Sequence, residues 1–351
     1  MAKMTSTVTV TEENYCLAET QVIFAEYRRK ISEGTGDTNG MGVFLHKRQA
    51  MDRKDKTVMR ANYDTMYSFA LLDLRASEAT LVMPDQGGRY QTAWIVTEEH
   101  YNPTCYTTAG EHELTETSMG SQYVMIIMRT QVKMADTKDV AQAAALQDLL
   151  QIRQVDKGPA YVSSNKWDVA EVKKMRSFYQ DVFKEKGFRV GSVFGKKGEV
   201  PLINHNCGAA YGWGGFTDDQ AVYIAYNDGK MEPCSLLLTD VPVAAFWSVT
   251  VYDKDGNVPD SAHCYNINSA FAEKNEDGSV MVNFGVAGGD NAGKANFMDI
   301  SEGWTMTLRL YLPTQAYFSG EWKKPELRGA NPNSRLFRDC FPAFLLFCSH
   351  L

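Results

Sequence analysis

The stretch Thr305-Met-Thr-Leu-Arg-Leu-Tyr311 alternates strictly between polar and apolar residues. Consecutive side chains of a β-strand point to opposite faces, so this two-residue period predicts a half-buried strand. The apolar face would carry Met306, Leu308 and Leu310, and the opposite face would carry Thr305, Thr307, Arg309 and Tyr311.

The same period appears at residues 246–252, which read Phe-Trp-Ser-Val-Thr-Val-Tyr. One face would carry Trp247, Val249 and Val251, which suits a core between two sheets. The other face would carry Phe246, Ser248, Thr250 and Tyr252. Similar short segments predict strands at residues 66–72, 79–83, 89–96, 122–129, 221–226, 235–238 and 279–284. The short turns between them favour antiparallel pairing over βαβ units.

Apolar residues recur at helical spacing in three other segments. The first runs from a cap at Thr11 to a stop at Gly34, and the second covers residues 136–153. The third begins near Ser164 and ends at Gly187. Residues 155–166 contain Gly, Pro and two Ser, so we expect a linker there.

Length and composition exclude several classes of protein. The chain has 351 residues, which exceeds the usual limit of roughly 250–300 residues for one core, so we expect two domains. A net charge of -7 argues against nucleic-acid or anionic-membrane binding, because both need a basic face. The N-terminus lacks the apolar region of a secretory signal, and no apolar run is long enough to span a bilayer. Seven irregularly spaced cysteines indicate free thiols, so we expect a cytoplasmic protein with no transmembrane segment.

The segment Arg60-Ala-Asn-Tyr-Asp-Thr-Met-Tyr-Ser68, followed by Asp73-Leu74, resembles the signature of the domain of unknown function 1254 family. Other elements similar to that family are Phe44-Leu-His46-Lys-Arg48, Met83-Pro-Asp85, Arg89-Tyr90, Glu99-His100-Tyr101, Gly120-Ser-Gln-Tyr123 and Arg129-Thr130. The second half resembles the partner family, domain of unknown function 1214. Its pattern is matched in order by Gly212-Trp-Gly-Gly215, Asp240-Val-Pro-Val243, residues 246–252, Asn275-Glu-Asp-Gly-Ser279, Asn283-Phe-Gly285, Gly303-Trp304, Arg309-Leu-Tyr-Leu-Pro313 and Gly320-Glu-Trp322.

The resemblance implies a fold that is mainly β with α insertions. It would contain two β-sandwich or jelly-roll-like domains with antiparallel sheets, an N-terminal helix and central helices. We place an N-terminal domain at residues 10–154, a helical connector at 155–190, a C-terminal β domain at 191–328 and a tail at 329–351. The apolar end of that tail predicts a segment docked on an apolar groove, with partner or membrane-surface contact as the alternative.

Arg60, Asn62, Asp64 and Tyr67 form the densest polar cluster on a strand-like segment. If the segment is extended, the first three share one face and suit a substrate carboxylate or an oriented base. The alternative is structural, with Asn62 and Asp64 shaping a turn and Arg60 paired internally.

Three histidines, His46, His100 and His205, lie inside or beside the motifs and are candidates for proton transfer near neutral pH. No His-x-His or His-Glu-x-x-His spacing indicates a metal site, and no cofactor is identified. The candidate catalytic residues are His46, Asp64 and His100. The candidate substrate-binding residues are Arg60, Asn62, Tyr67, Arg89, Tyr101, Arg129, His205 and Trp213.

Two functions stay open from the sequence. The first is an enzyme acting by general acid–base chemistry in the N-terminal domain, with hydrolysis among the reactions. Its substrate would be a small organic molecule with an anionic or carbonyl group. The second is a non-catalytic ligand-binding or protein-interaction module of two β-sandwiches. We expect a small-molecule ligand and no nucleic acid, and a homo-oligomer is left open.

Overall fold

A computed structural model describes residues 7–49, 54, 59–227, 229–259 and 264–329. Its helices are α1 (Tyr15–Thr35), α2 (Glu116–Met119), α3 (Thr137–Asp148), α4 (Val169–Lys186), α5 (Leu202–Gly212) and α6 (Gln315–Phe318). The strands of the first half are β1 (Leu45–His46), β2 (Thr65–Asp73), β3 (Ala79–Met83), β4 (Gln91–Thr97), β5 (Cys105–Tyr106), β6 (Gly110–Leu114), β7 (Tyr123–Gln131) and β8 (Gln151–Gln154). Those of the second half are β9 (Ala221–Tyr226), β10 (Cys234–Leu238), β11 (Trp247–Tyr252), β12 (Asn266–Asn268), β13 (Val280–Gly285), β14 (Phe297–Asp299) and β15 (Thr305–Tyr311).

The first half is built on two antiparallel sheets. The larger has the strand order β1-β2-β7-β4-β5, and the smaller has the order β6-β3-β8. At the centre, β2 pairs with β7 over nine residues, from Thr65 opposite Gln131 to Asp73 opposite Tyr123. Apolar side chains on one face of the large sheet pack against α1, and those on the other face pack against the small sheet. The central strands are therefore apolar on both faces rather than alternating.

The second half also contains two sheets, with the strand orders β12-β11-β15-β9 and β10-β13-β14. Val249 and Leu308, on the predicted apolar faces of β11 and β15, pack in one cluster with Leu236 and Val282 of the other sheet. The predicted mainly β fold with antiparallel sheets is confirmed. Among the described strands, β13 and β14 form a parallel pair, which was not predicted. The sandwich and jelly-roll descriptions stay predictions.

The prediction that the strand at residues 305–311 is only half buried is wrong. The second face of β11 and β15 carries Ser248, Thr250 and Arg309, and all three side chains are buried. Residues 60–64 of the first half cover this face and hydrogen-bond to it. Its polar side chains therefore mark contact between the halves and not contact with solvent.

The three predicted helices are present, but their first or last residues differ from the prediction. α1 begins at Tyr15 after Asn14 instead of at Thr11, and it ends before the left-handed Gly36. The predicted helix at residues 136–153 ends at Asp148, and the chain then forms β8, which pairs with β3. This second part was wrong because a strand edge was available to residues 151–154.

The helix that was predicted to begin near Ser164 and end at Gly187 is observed as α4, with closely similar bounds. The Asp168 side chain caps its first turn by accepting from the backbone N–H groups of Ala170 and Glu171. Gly187 ends it in the left-handed conformation. The sequence did not predict α5, whose apolar and small residues are buried on nearly all sides. α5 matters for the site because it carries His205 and ends immediately before Trp213.

An apolar cluster crosses the predicted domain boundary. It contains Trp94 and Ile127 from the first half and Trp213, Phe246 and Tyr311 from the second. The boundaries at residues 154, 190 and 328 therefore stay a prediction, because the two halves share part of their core.

Within the described residues, no helix is long and apolar enough to cross a bilayer. The five cysteines in the described part are free thiols, as predicted: Cys16, Cys105, Cys207, Cys234 and Cys264. Residues 330–351, which hold nearly all of the predicted docking tail, lie outside the described residues.

We expect Leu308→Ala to lower the free energy of unfolding by about 3 kcal/mol, because it deletes fully buried methyl groups and leaves a cavity. Leu149→Ala is the matched control, since the Leu149 side chain is 56% exposed and should cost less than about 1 kcal/mol. Urea titration followed by fluorescence measures both values. Equal losses for the two variants would contradict the described core.

Candidate functional site

The buried carboxylate of Asp64 joins the two halves. It lies in the loop before β2 and has no exposed surface. Its oxygens accept hydrogen bonds from Ser248 Oγ at 2.6 Å, Tyr311 Oη at 2.8 Å and Asn266 Nδ2 at 2.7 Å. The three donors belong to β11, β15 and β12, so one side chain of the first half holds three strands of the second.

A buried guanidinium accompanies this carboxylate. Arg309 donates to Thr250 Oγ1 at 2.7 Å, to the carbonyl oxygen of Arg60 at 3.2 Å and to the Tyr252 hydroxyl. Asp64 lies within electrostatic reach of Arg309. The opposite charges and the hydrogen bonds of the two Nη groups offset much of the cost of burial. We call Asp64, Arg309 and their hydrogen-bond partners the Asp64 network.

The loop before β2 is a turn rather than an extended strand. Arg60 has a φ of 52°, which is uncommon outside glycine. The Asn62 side-chain oxygen accepts from the backbone N–H of Asp64 at 2.7 Å, a typical asparagine turn. The extended interpretation, with Arg60, Asn62 and Asp64 on one face, is therefore wrong. Arg60 donates to Thr305 Oγ1 at 2.9 Å, as the structural alternative required.

Asn62 connects the Asp64 network to Arg129. Its Nδ2 donates to Tyr67 Oη at 3.2 Å and to Tyr311 Oη at 3.3 Å. Tyr67 on β2 lies directly opposite Arg129 on β7, so their side chains share one face of the sheet. The Arg129 guanidinium carbon lies 5.5 Å from the centroid of the Tyr67 ring.

The guanidinium of Arg129 is buried without a carboxylate partner among the described residues. The residue is 2% exposed and lies 3.5 Å from the centroid of the Phe216 ring. Its Nη2 donates to the Gly214 carbonyl oxygen at 3.1 Å. In the described part of the chain, its Nε has no hydrogen-bond partner. A buried charge that lacks both a counter-ion and full hydrogen bonding is costly.

Four tyrosines lie within electrostatic reach of this guanidinium. We call these five residues the Arg129 cluster: Arg129, Tyr67, Tyr90, Tyr223 and Tyr311. Burial raises the pKa of Tyr223 to about 12 and raises the pKa of Tyr311 well above its usual value. Both hydroxyls are therefore neutral near pH 7, and they do not neutralise the charge of Arg129.

The Arg129 cluster is mostly buried, but some of the side chains in and beside it have accessible surface. Tyr67 and Tyr223 each keep part of their surface accessible, as does Cys105. Burial nevertheless raises the pKa of Cys105 to about 12, and Arg129 lies within its electrostatic reach. The cluster therefore combines desolvated side chains with some accessible surface.

His100 positions the backbone that contacts Arg129. Its Nε2 accepts from the backbone N–H of Gly214 at 3.0 Å, so Nδ1 carries the proton of the neutral ring. Gly214 has a φ of +72°, and a Cβ there would lie 2.8 Å from Cδ1 of Ile127, so glycine is required. The pKa of His100 is lowered well below its usual value by burial and secondarily by His205.

The other predicted residues near His100 pack around it. Trp213 stacks on the His100 ring at a centroid distance of 5.5 Å and donates to Thr20 Oγ1 at 3.0 Å. His205 donates from Nε2 to the Glu99 carbonyl oxygen at 2.8 Å. Tyr101 stacks on the His205 ring at 4.3 Å. The structure thus brings these groups together around His100, which contacts Gly214, and Gly214 in turn contacts Arg129.

Two predicted residues have separate partners. His46 contacts Ser68 Oγ through Nδ1 at 2.8 Å, and Ser68 also accepts from Gln147 Nε2. Arg89 makes a bidentate ion pair with Asp139, with Nη1 3.0 Å from Oδ2 and Nη2 2.6 Å from Oδ1. No hydrogen bond within the described residues links either of them to the Arg129 cluster.

Sequence reasoning missed several residues of this region. Tyr90, Tyr311 and Arg309 were noted only within motifs and predicted strands, and Tyr223 was not singled out. An arginine on a strand that is otherwise rich in β-formers is the signal that would have singled out Arg309. Gly214 had no signal of its own beyond the Gly-Trp-Gly-Gly motif.

Within the described ranges, no group of three or more His, Cys, Asp or Glu side chains is arranged to hold a metal ion.

Two family models match parts of the chain. Residues 41–98 match Protein of unknown function (DUF1254), and residues 234–315 match Protein of unknown function (DUF1214). The predicted resemblance to this pair, in this order, is confirmed, and neither description names an activity. No curated protein matches the chain.

Two solved structures are similar to this chain to different degrees. The crystal structure of the VPA0106 protein from Vibrio parahaemolyticus has a TM-score of 0.64 and 15% identity, covering 92% of this chain and 100% of that chain. An uncharacterized protein from Burkholderia cenocepacia has a TM-score of 0.47 and 14% identity, covering 90% of this chain and 87% of that chain. The first likeness supports the mainly β fold and says nothing about activity.

We expect Asp64→Asn to lower the free energy of unfolding by about 3 kcal/mol, because Arg309 loses its counter-charge and the new amide meets hydrogen-bond donors. Asp148→Asn is the control, since the Asp148 side chain is 62% exposed and pairs with Arg48 at the surface. That change should cost less than about 1 kcal/mol. A stable Asp64→Asn protein in urea titration would show that the network does not hold the halves together.

Stability should fall as the pH drops from 7 to 5. The pKa of His100 is lower in the folded chain than in the unfolded chain, so the unfolded state binds more protons in this range. The contribution is complete above the unfolded pKa of about 6.5, and one histidine limits the slope to about 1.4 kcal/mol per pH unit.

His100→Gln should flatten the curve of unfolding free energy against pH between 5 and 7. His205→Gln is the comparison, and it should flatten the curve less, because burial lowers the pKa of His205 less strongly. An unchanged slope in His100→Gln would contradict the buried, neutral state of this ring.

Proposed function

We propose that this protein binds a small organic anion, most simply a carboxylate, at the Arg129 cluster. The observation that carries the proposal is the buried Arg129 guanidinium, whose Nε has no partner among the described residues. Arginine presents a planar fork that matches a carboxylate through two parallel hydrogen bonds. A bound carboxylate would supply the missing counter-charge.

The walls of the site favour a ligand with a flat apolar body. Phe216 lies against the face of the guanidinium, which leaves the polar edge of Arg129 for hydrogen bonding. Phe246 packs in the same apolar cluster and stacks on Tyr311 at a centroid distance of 4.2 Å. Tyr67 and Tyr223 keep part of their surface accessible and can add hydroxyl hydrogen bonds.

Binding is favoured over general acid–base catalysis by the state of the candidate proton carriers. Asp64 already accepts three hydrogen bonds, and His100 uses Nε2 to hold Gly214. His46 is hydrogen-bonded to Ser68, outside the cluster. None of these groups is poised to move a proton at Arg129.

An enzyme acting on the bound anion, including a hydrolase, is the second candidate. Tyr311 is the residue through which it would work, because its hydroxyl belongs to the Arg129 cluster and donates to Asp64. A cytoplasmic location and a homo-oligomer stay predictions.

Acetate, benzoate and succinate are the probes for this site, and benzamide is the uncharged match for benzoate. We expect calorimetry to detect at least one carboxylate and to rank benzoate above benzamide. Arg129→Met should weaken carboxylate binding by at least about tenfold, the value of one lost charge-assisted hydrogen bond. The free energy of unfolding should stay the same or rise, because a costly buried charge is removed.

Arg153→Met is the control, since the Arg153 side chain is 55% exposed and pairs with Glu111 at the surface. It should bind the probes as the original chain does. Two results would overturn the proposal: no charge-selective binding by any probe, or a large stability loss in Arg129→Met with unchanged binding. The second result would make Arg129 a structural residue.

A further inference from the structure

A cavity of about 270 Å³ lies between the two halves. Its lining comes from the loop after β7, from β12 and its flanking residues, and from the chain around the start of β14. None of its lining residues belongs to the Arg129 cluster. Its size suits a small organic ligand.

Two of the side-chain amides that line this cavity are already engaged by the protein. Asn266 Nδ2 donates to Asp64 Oδ1 at 2.7 Å. Asn296 Nδ2 donates to the carbonyl oxygens of Glu273 and Met281, at 2.8 Å and 3.1 Å. These amides therefore shape the wall, and their N–H groups are not free to select a ligand.

Among the described residues that line the cavity, Lys133 carries the charge, and its side chain is exposed. Its Nζ lies 5.8 Å from the centroid of the Phe271 ring. The Asp139 carboxylate, which pairs with Arg89, also lies within electrostatic reach of Lys133. Aliphatic and aromatic side chains, including Met134, Ile267 and Phe297, form much of the remaining wall. The cavity thus combines one exposed positive charge with a largely apolar lining.

We propose that this cavity is a second binding site, which takes an amphipathic monocarboxylate with a short hydrocarbon chain. The carboxylate would pair with the Lys133 ammonium, and the chain would occupy the apolar interior. A neutral apolar molecule would contact the apolar walls but would not form the charge pair with Lys133. A polyanion would need further cations, and the described lining residues include none besides Lys133. The site is independent of the proposed anion site at Arg129.

Cys264 provides a direct readout, because its thiol lines the cavity and is only partly buried. Alkylation by N-ethylmaleimide at mildly alkaline pH, followed by peptide mass analysis, measures the reaction rate of this cysteine alone. Sodium octanoate is the probe, and 1-octanol is the uncharged match. We expect octanoate to slow alkylation of Cys264 at lower concentrations than octanol does.

Three variants of the full chain make the test specific. Lys133→Met should weaken protection by octanoate by about tenfold and leave octanol unaffected, because only the charge pair is lost. Ala272→Trp should abolish protection by both probes by filling the cavity. Lys138→Met is the control, since Lys138 is exposed and does not line the cavity, and it should behave as the original chain does.

Arg129→Met separates this proposal from the proposed function. It should keep octanoate protection of Cys264 even where it loses carboxylate binding at Arg129. Equal protection by octanol and octanoate, or full octanoate protection in Lys133→Met, would overturn the second site. Octanoate protection that appears only after residues 330–351 are deleted would also overturn it, because the chain itself would then compete for the cavity.

Discussion

The carboxylate of Asp64 is the interaction on which the rest of the arrangement depends. It accepts hydrogen bonds from three strands of the second half while belonging to the loop that leads into β2. A buried carboxylate is tolerated only where its oxygens are satisfied and a positive charge is near, and Arg309 supplies that charge. The polar faces of β11 and β15 are buried because their side chains hydrogen-bond to the loop before β2, which belongs to the first half.

This network also fixes the geometry of the proposed site. Asn62 shapes the turn at Asp64 and reaches both Tyr67 and Tyr311. Tyr67 enters β2 in a register that sets it opposite Arg129. The described residues thus include two fully buried guanidinium groups with different surroundings. Arg309 has Asp64 nearby, whereas Arg129 has tyrosines and a backbone carbonyl. Such a difference between two chemically identical side chains is typical of proteins in which a binding site is retained at the expense of stability.

Much of the fold was predictable because it rests on local periodicity. The alternation at residues 246–252 and 305–311 predicted both strands and their apolar faces, and α4 has the cap and stop that its sequence indicates. The errors occur where a distant partner outweighs local preference. Residues 151–154 continue a helical pattern but pair with β3, and residues 60–64 look extended but form a turn around Asp64.

The candidate site divides in the same way. The sequence by itself determined the residue types, the strand periods and the family resemblance, and it singled out Asp64, Asn62, Tyr67 and Arg129. Only the tertiary structure decided which of these are satisfied by the protein and which are left over. In that structure, His100 hydrogen-bonds to Gly214 and Arg89 forms an ion pair with Asp139. Arg129 has no counter-ion among the described residues. The physical reason is that desolvation and hydrogen bonding depend on neighbours from distant segments, and a linear pattern does not specify those neighbours.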